Sequence, residues 1–187
     1  GSAITACSSD NFAVRPAAFT VTANLGGSKL QAGRTFSMTA DTGIGAQYSG
    51  TPVLDASKFR DHAGNAIGTL VGSLPATTTG SSTGSFAYHD VGTLSPQTDA
   101  VTDSAYTAVD NGSGDCVVGS ASNVASGGKF GCNIGSTAAG PFGRFYPDHF
   151  NYVATLSTDC GGFSYMDQPS ISLALSLEAR SANETVT

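Results

Sequence analysis

Four cysteines, Cys7, Cys116, Cys132 and Cys160, carry the most definite chemistry this chain offers. Their spacing lacks the two-residue gaps of a zinc ribbon, and the histidines lie far from them in sequence, so disulfides are the chemistry to expect. Cys116 and Cys132 form the natural local pair. A bridge there would close a loop of about 15 residues, worth roughly 3 kcal/mol in the chain-entropy account. Cys7 with Cys160 would be the remaining pair.

The densest run of carboxylates is Asp99, Asp103, Asp110 and Asp115. Calcium takes several oxygen ligands from one flexible loop, and Asp110-Asn-Gly-Ser-Gly-Asp115 offers carboxylates and carbonyls. The run lacks the regular alternation and terminal Glu of an EF-hand loop, so solvated turn residues are the plainer account. His62 follows Asp61, His89 precedes Asp90, and His149 follows Asp148. Adjacent strand residues point to opposite faces, so neither of the first two pairs builds a nucleophile and its base. No phosphate loop or His-Glu-x-x-His is present, and the expectation is a protein that is not an enzyme and uses no cofactor. Lys29, Lys58 and Lys129 are the lysines available for a Lys–Asn cross-link, and ordinary surface roles suit them better. Phe142, Phe145, Tyr146, Phe150 and Tyr152 cluster closely enough to suggest a glycan platform, but tryptophan is absent and packing where modules meet is the better expectation.

The elements that must position these residues are strands. Phe19, Val21 and Ala23 alternate with Thr20 and Thr22; Phe36, Met38 and Ala40 alternate with Ser37 and Thr39. From Ile171 to Ala179, Leu173, Leu175 and Leu177 face one way, Ser172, Ser176 and Glu178 the other. Period-two alternation gives each strand one dry and one wet side. Further strands are expected at 52–56, 66–71, 84–94, 105–109 and 116–119, with turns at Asn24–Gly27, Asp41–Gly43, Asp61–Asn65 and Asp110–Gly112. Residues 77–84 read as a flexible loop, and 111–140 as a long excursion that only a disulfide would pin. No dozen-residue window carries an amphipathic helix. The pattern predicts an all-β, immunoglobulin-like Greek-key sandwich.

Composition narrows the partners. Charged residues are only 12% of the chain against 40% hydrophobic, so Ser, Thr, Asn and Gly wet the surface, as in many secreted β-proteins. A net charge of −6 with eight scattered basic residues argues against nucleic acid. No apolar run approaches the roughly 18 residues of a membrane span, so no membrane insertion is expected. Gly1-Ser2 reads as a cloning remnant, and Ile4-Thr5-Ala6-Cys7 matches a lipoprotein box only by chance.

The chain also repeats itself. Pro16-Ala-Ala-Phe19-Thr-Val21-Thr-Ala23 returns 131 residues later as Pro147-Asp-His-Phe150-Asn-Tyr152-Val-Ala154. Phe36-Ser-Met38-Thr-Ala40 returns 139 residues later as Leu175-Ser-Leu177-Glu-Ala179. Repeats at domain spacing indicate a string of similar modules. Residues 1–140 are therefore expected to form one sandwich. Residues 141–187 would be a junction, carried by Arg144, Phe145, Tyr146, Pro147 and Phe150, followed by the opening strands of a second repeat. An incomplete sandwich leaves a dry face and an open edge. Those strands must dock on the first unit, pair between copies or complete a neighbour. The option favoured is that Phe150–Ala154 and Ile171–Ala179 finish the first sandwich.

Cys7-Ser-Ser-Asp-Asn-Phe12-Ala-Val-Arg-Pro16, Ser85-Phe-Ala-Tyr-His-Asp-Val91-Gly-Thr, Gly143-Arg-Phe-Tyr-Pro-Asp-His-Phe150 and Phe163-Ser-Tyr-Met-Asp-Gln-Pro169 resemble MshQ-type proteins. These are large secreted proteins associated with the mannose-sensitive haemagglutinin type IV pilus of Gram-negative bacteria. The resemblance implies an extracellular, bacterial-surface structural or adhesive module, exported across the inner membrane. Its partners would be other modules of the same protein, pilus components, or a surface glycan or protein receptor. The alternative is a glycan- or calcium-dependent ligand-binding module.

Overall fold

A computed structural model describes residues 14–112, 114–158, 162–163, 166–167 and 171–186. In chain order the strands are β1 (Thr20–Asn24), β2 (Leu30–Gln31), β3 (Thr35–Asp41), β4 (Val53–Leu54), β5 (Phe59–Arg60), β6 (Leu70–Gly72), β7 (Ser81–Tyr88), β8 (Gly92–Pro96), β9 (Val101–Thr102), β10 (Phe142–Tyr146), β11 (His149–Ser157) and β12 (Ser172–Arg180). Among the described residues, one short α-helix, α1 (Thr107–Asp110), precedes the disulfide loop. The fold is an all-β sandwich, as the alternation predicts.

One sheet runs β1-β3-β7-β6, antiparallel throughout, and the facing sheet runs β2-β10-β8-β5. Successive strands cross repeatedly between the sheets, so residues distant in sequence meet in one core. Val21, Met38 and Phe86 point inward from the first sheet, and Phe59, Leu94 and Phe145 from the second. Phe145 stacks edge-on against Tyr88, ring centres 5.1 Å apart, and tilts against Phe36 at 5.3 Å. A two-stranded patch, β4-β9, extends this core to Tyr48, Phe19, Val101 and Ile134.

The strand expected over 105–109 is instead a turn at 105–106 followed by the start of α1. Asp103 Oδ1 accepts the Ala105 amide at 2.8 Å, and successive i−3 and i−4 backbone bonds follow. Local side-chain bonding of this kind competes with strand formation. The run 84–94 holds two strands, β7 and β8, separated by a turn at His89–Val91. The loop expected over 77–84 is also tied down: Thr77 and Gly50 exchange backbone hydrogen bonds, and β7 begins at Ser81.

β10 places the junction residues. It lies between β2, to which it is parallel, and β8, to which it is antiparallel. Its register with β8 shifts between Phe142 and Phe145. Gly143 has φ +82, and a Cβ there would stand 2.7 Å from the Phe145 ring. The bulge therefore requires glycine, and it turns the strand so that Phe145 enters the core.

Candidate functional site: the disulfide loop and the open hairpin

The cysteine pair Cys116–Cys132 is bridged, with the Cα atoms 5.1 Å apart. Cys7 and Cys160 lie outside the described residues. The bridge is one of several ties on the 111–140 excursion. Val117 donates to the Phe130 carbonyl and Cys132 to the Val117 carbonyl. Asp103 and Ile134 exchange backbone bonds, and the Val101 amide donates to Ser136 Oγ at 3.0 Å. Arg15 fastens the far side, giving Nε to the Gly131 carbonyl at 2.9 Å and Nη2 to that of Ser122 at 3.1 Å. Asn123 reaches the Ala17 carbonyl at 2.7 Å. A shallow cleft between this loop and the sandwich is walled by Asp99, Ser120, Asn123, Gly135 and Thr137.

The acidic run disperses. Asp103 is buried and accepts a 2.6 Å hydrogen bond from the Tyr48 hydroxyl, which burial and that carboxylate hold protonated far above the usual tyrosine range. Among the described residues, no three His, Cys, Asp or Glu side chains gather as a metal cage would need. The three lysines stay at the surface; Lys129 Nζ donates to the Gly114 carbonyl.

The junction residues divide. Phe145 is 4% exposed and belongs to the sandwich core, whereas Arg144 and Tyr146 face solvent and Pro147 is half-buried. Phe150 lies beyond them on the hairpin β11–β12 and is 64% exposed.

That hairpin is where the sequence repeat becomes structural. β11 repeats β1, β12 repeats β3, and both pairs are antiparallel. Val21 faces Ala40 in the first unit, while its counterpart Tyr152 faces Leu177 where the repeat would place Ala179. The slip is two residues, which keeps every side chain on its expected face. Phe150, Tyr152, Ala154 and Leu156 therefore share one face with Leu173, Leu175, Leu177 and Ala179, and that face is open to solvent. The expectation that these strands finish the first sandwich meets a different geometry: β10 occupies the second sheet, and the hairpin extends past it.

The base of the hairpin sits in a small polar socket. The Asp148 amide donates to the Arg180 carbonyl, and Gln31 Nε2 donates to the Asp148 carbonyl at 2.7 Å. Ala182 donates to the His89 carbonyl, and His89 Nδ1 lies 2.8 Å from Asn183 Oδ1. Gly33, at φ +80, makes room for Ala182, whose methyl would lie 2.6 Å from a Cβ added there. His149 bridges the Asp148 carboxylate at 2.9 Å and Glu184 at 3.4 Å, and the Asp148 bond, with Glu184 beside it, raises its pKa above the ordinary histidine value. Nothing in the local patterning singles out Gln31, Gly33 or Asn183, and His89 stands out only beside Asp90, because their partners lie across a long sequence separation. The nearest signal was the Ser181-Ala-Asn-Glu-Thr185 turn, whose Ser181 Oγ accepts the Asn183 and Thr185 amides.

Among the described residues, no helix is long and apolar enough to cross a membrane. The disulfide fits an oxidising compartment. A family model described as DUF6701, third domain, matches residues 117–187, a span that runs from the disulfide loop through β10 and the hairpin. The similarity is thus to a repeated family of domains of unknown function. No curated protein and no solved structure matches the chain.

Proposed function

We propose that this chain is a structural or adhesive module of an extracellular, pilus-associated bacterial surface protein of MshQ type, without catalysis or cofactor. One observation supports the reading most: the same two-strand unit occurs twice, once sealed inside a sandwich and once presented at its end. Tandem architectures repeat a unit that cannot bury its own apolar face alone. The disulfide and the uncharged Ser/Thr-rich surface suit export and an oxidising exterior. The family similarity adds a serial domain arrangement.

The test is surface labelling of the native bacterium with a membrane-impermeant reagent, followed by non-reducing peptide mass spectrometry. The reading expects labelled, disulfide-linked Cys116–Cys132 peptides on intact cells. Recovery of the protein only inside the cell, with both thiols free, would overturn it. A glycan array on the purified chain separates adhesion from a purely architectural role: a specific hit favours the first.

A further inference from the structure

The hairpin β11–β12 has one dry face and one wet face. On the dry face stand Phe150, Tyr152, Leu156, Leu173, Leu175 and Leu177, and each keeps more than half of its surface exposed. The wet face carries Asn151, Ser176, Glu178 and Arg180 among its residues. Two-stranded ribbons are marginal by themselves, and contiguous apolar patches of several hundred Å² on a soluble protein mark interfaces. At about 100 Å² for each of these side chains, the face offers about 600 Å². Two such faces closed on one another remove about 1,200 Å², which reaches the range of specific protein interfaces.

We propose that the occupant of this face is the same hairpin of a second copy of the chain, the two ribbons packing face to face about a twofold axis. The face is suited to itself. Its aromatic pair lies near the base and Leu156 and Leu173 lie near the far end of the paired strands, so a twofold axis perpendicular to the strands sets rings of one copy over leucines of the other. Ala154 and its partner Leu175 fall between, where a small residue lets the ribbons approach. Glu178 and Arg180 stay on the outer, wet faces, so no charge is buried. The contact is isologous and closes at two copies. Among the described residues, the hydrogen bonds between the hairpin and the first sandwich lie at the polar socket at its base, and the dry face stays exposed. This inference stands on the hairpin geometry and does not depend on the proposed function.

Sedimentation velocity of the oxidised full chain, from low to high micromolar concentration, tests it. Wild type should pass reversibly from monomer to dimer. Leu175→Asp should weaken association at least about tenfold, whereas Ser176→Asp, on the wet face, should leave it unchanged. Because Leu175→Asp could disturb folding, isotope-filtered NOEs in a mixture of labelled and unlabelled wild type provide a second readout, with Leu175 methyls expected to contact the other copy's rings. A monomer at every concentration overturns the proposal, whether the hairpin is then protease-sensitive and uncovered or protease-resistant and covered by its own chain. Open-ended assemblies that survive Leu175→Asp overturn it in favour of a different partner surface.

Discussion

The strand pairs β1–β3 and β11–β12 share a pattern and differ in surroundings. In the first, Met38 is 1% exposed, with β7 on its outer edge and the second sheet over its inner face. In the second, its counterpart Leu177 is 63% exposed, and among the described residues β12 has one neighbouring strand, β11. Alternation therefore determines that a strand has a dry side without determining what dries it. The covering elements of the first unit come from far along the chain: β7 begins forty residues after β3 ends, and β10 lies a hundred residues on.

The comparison breaks most visibly at paired substitutions. Phe145→Ala removes a ring packed on Tyr88 and Phe36 and should cost about 3–5 kcal/mol. Phe150→Ala should leave the unfolding of the sandwich within about 0.5 kcal/mol, as surface changes usually do. Met38→Ala and Leu177→Ala should repeat this contrast at about 2–5 kcal/mol against about 0.5. Chemical denaturation followed by tyrosine fluorescence at dilute protein measures all four. Equal losses within either pair would mean that the two units are equally buried.

Removing the disulfide by Cys116→Ala with Cys132→Ala should cost about 3 kcal/mol, read by the same denaturation. The ties from Arg15 and Asn123 should keep the sandwich itself folded. Next, Tyr48→Phe strips a buried carboxylate of its hydroxyl donor and should cost about 1–3 kcal/mol. The smallest effect belongs to the socket. His149 gains its partners on folding, so its contribution is fully present below the unfolded histidine pKa and is lost as pH rises through the raised folded value. A proton NMR titration should place its midpoint above that of free histidine, and Asp148→Asn should lower it.

How far residues alone predict this molecule follows from the range of each signal. Alternation is local, so β1, β3 and β12 could be read directly, whereas it runs β7 and β8 together as one strand over 84–94. The spacing of Cys116 and Cys132 is local too, and the bridge followed from it. β10 was harder to read because the Gly143 bulge interrupts its alternation, which made Phe145 look like a linker aromatic when it is a core ring. Asp103 looked like one of several loop carboxylates; its partner Tyr48 lies 55 residues away, and no spacing rule connects them. The 105–109 strand failed because Ala, Tyr, Thr and Val suit either conformation until Asp103 caps the turn.

The most direct test of the difference between the two units is amide hydrogen exchange measured across a protein concentration series. The account predicts that β3, hydrogen-bonded between β1 and β7, exchanges slowly and identically at every concentration. It predicts that β12 exchanges rapidly in dilute solution and gains protection as the copies associate. Protection of β12 equal to that of β3 at the lowest concentration would contradict the account, because the second unit would then already be sealed within a single chain.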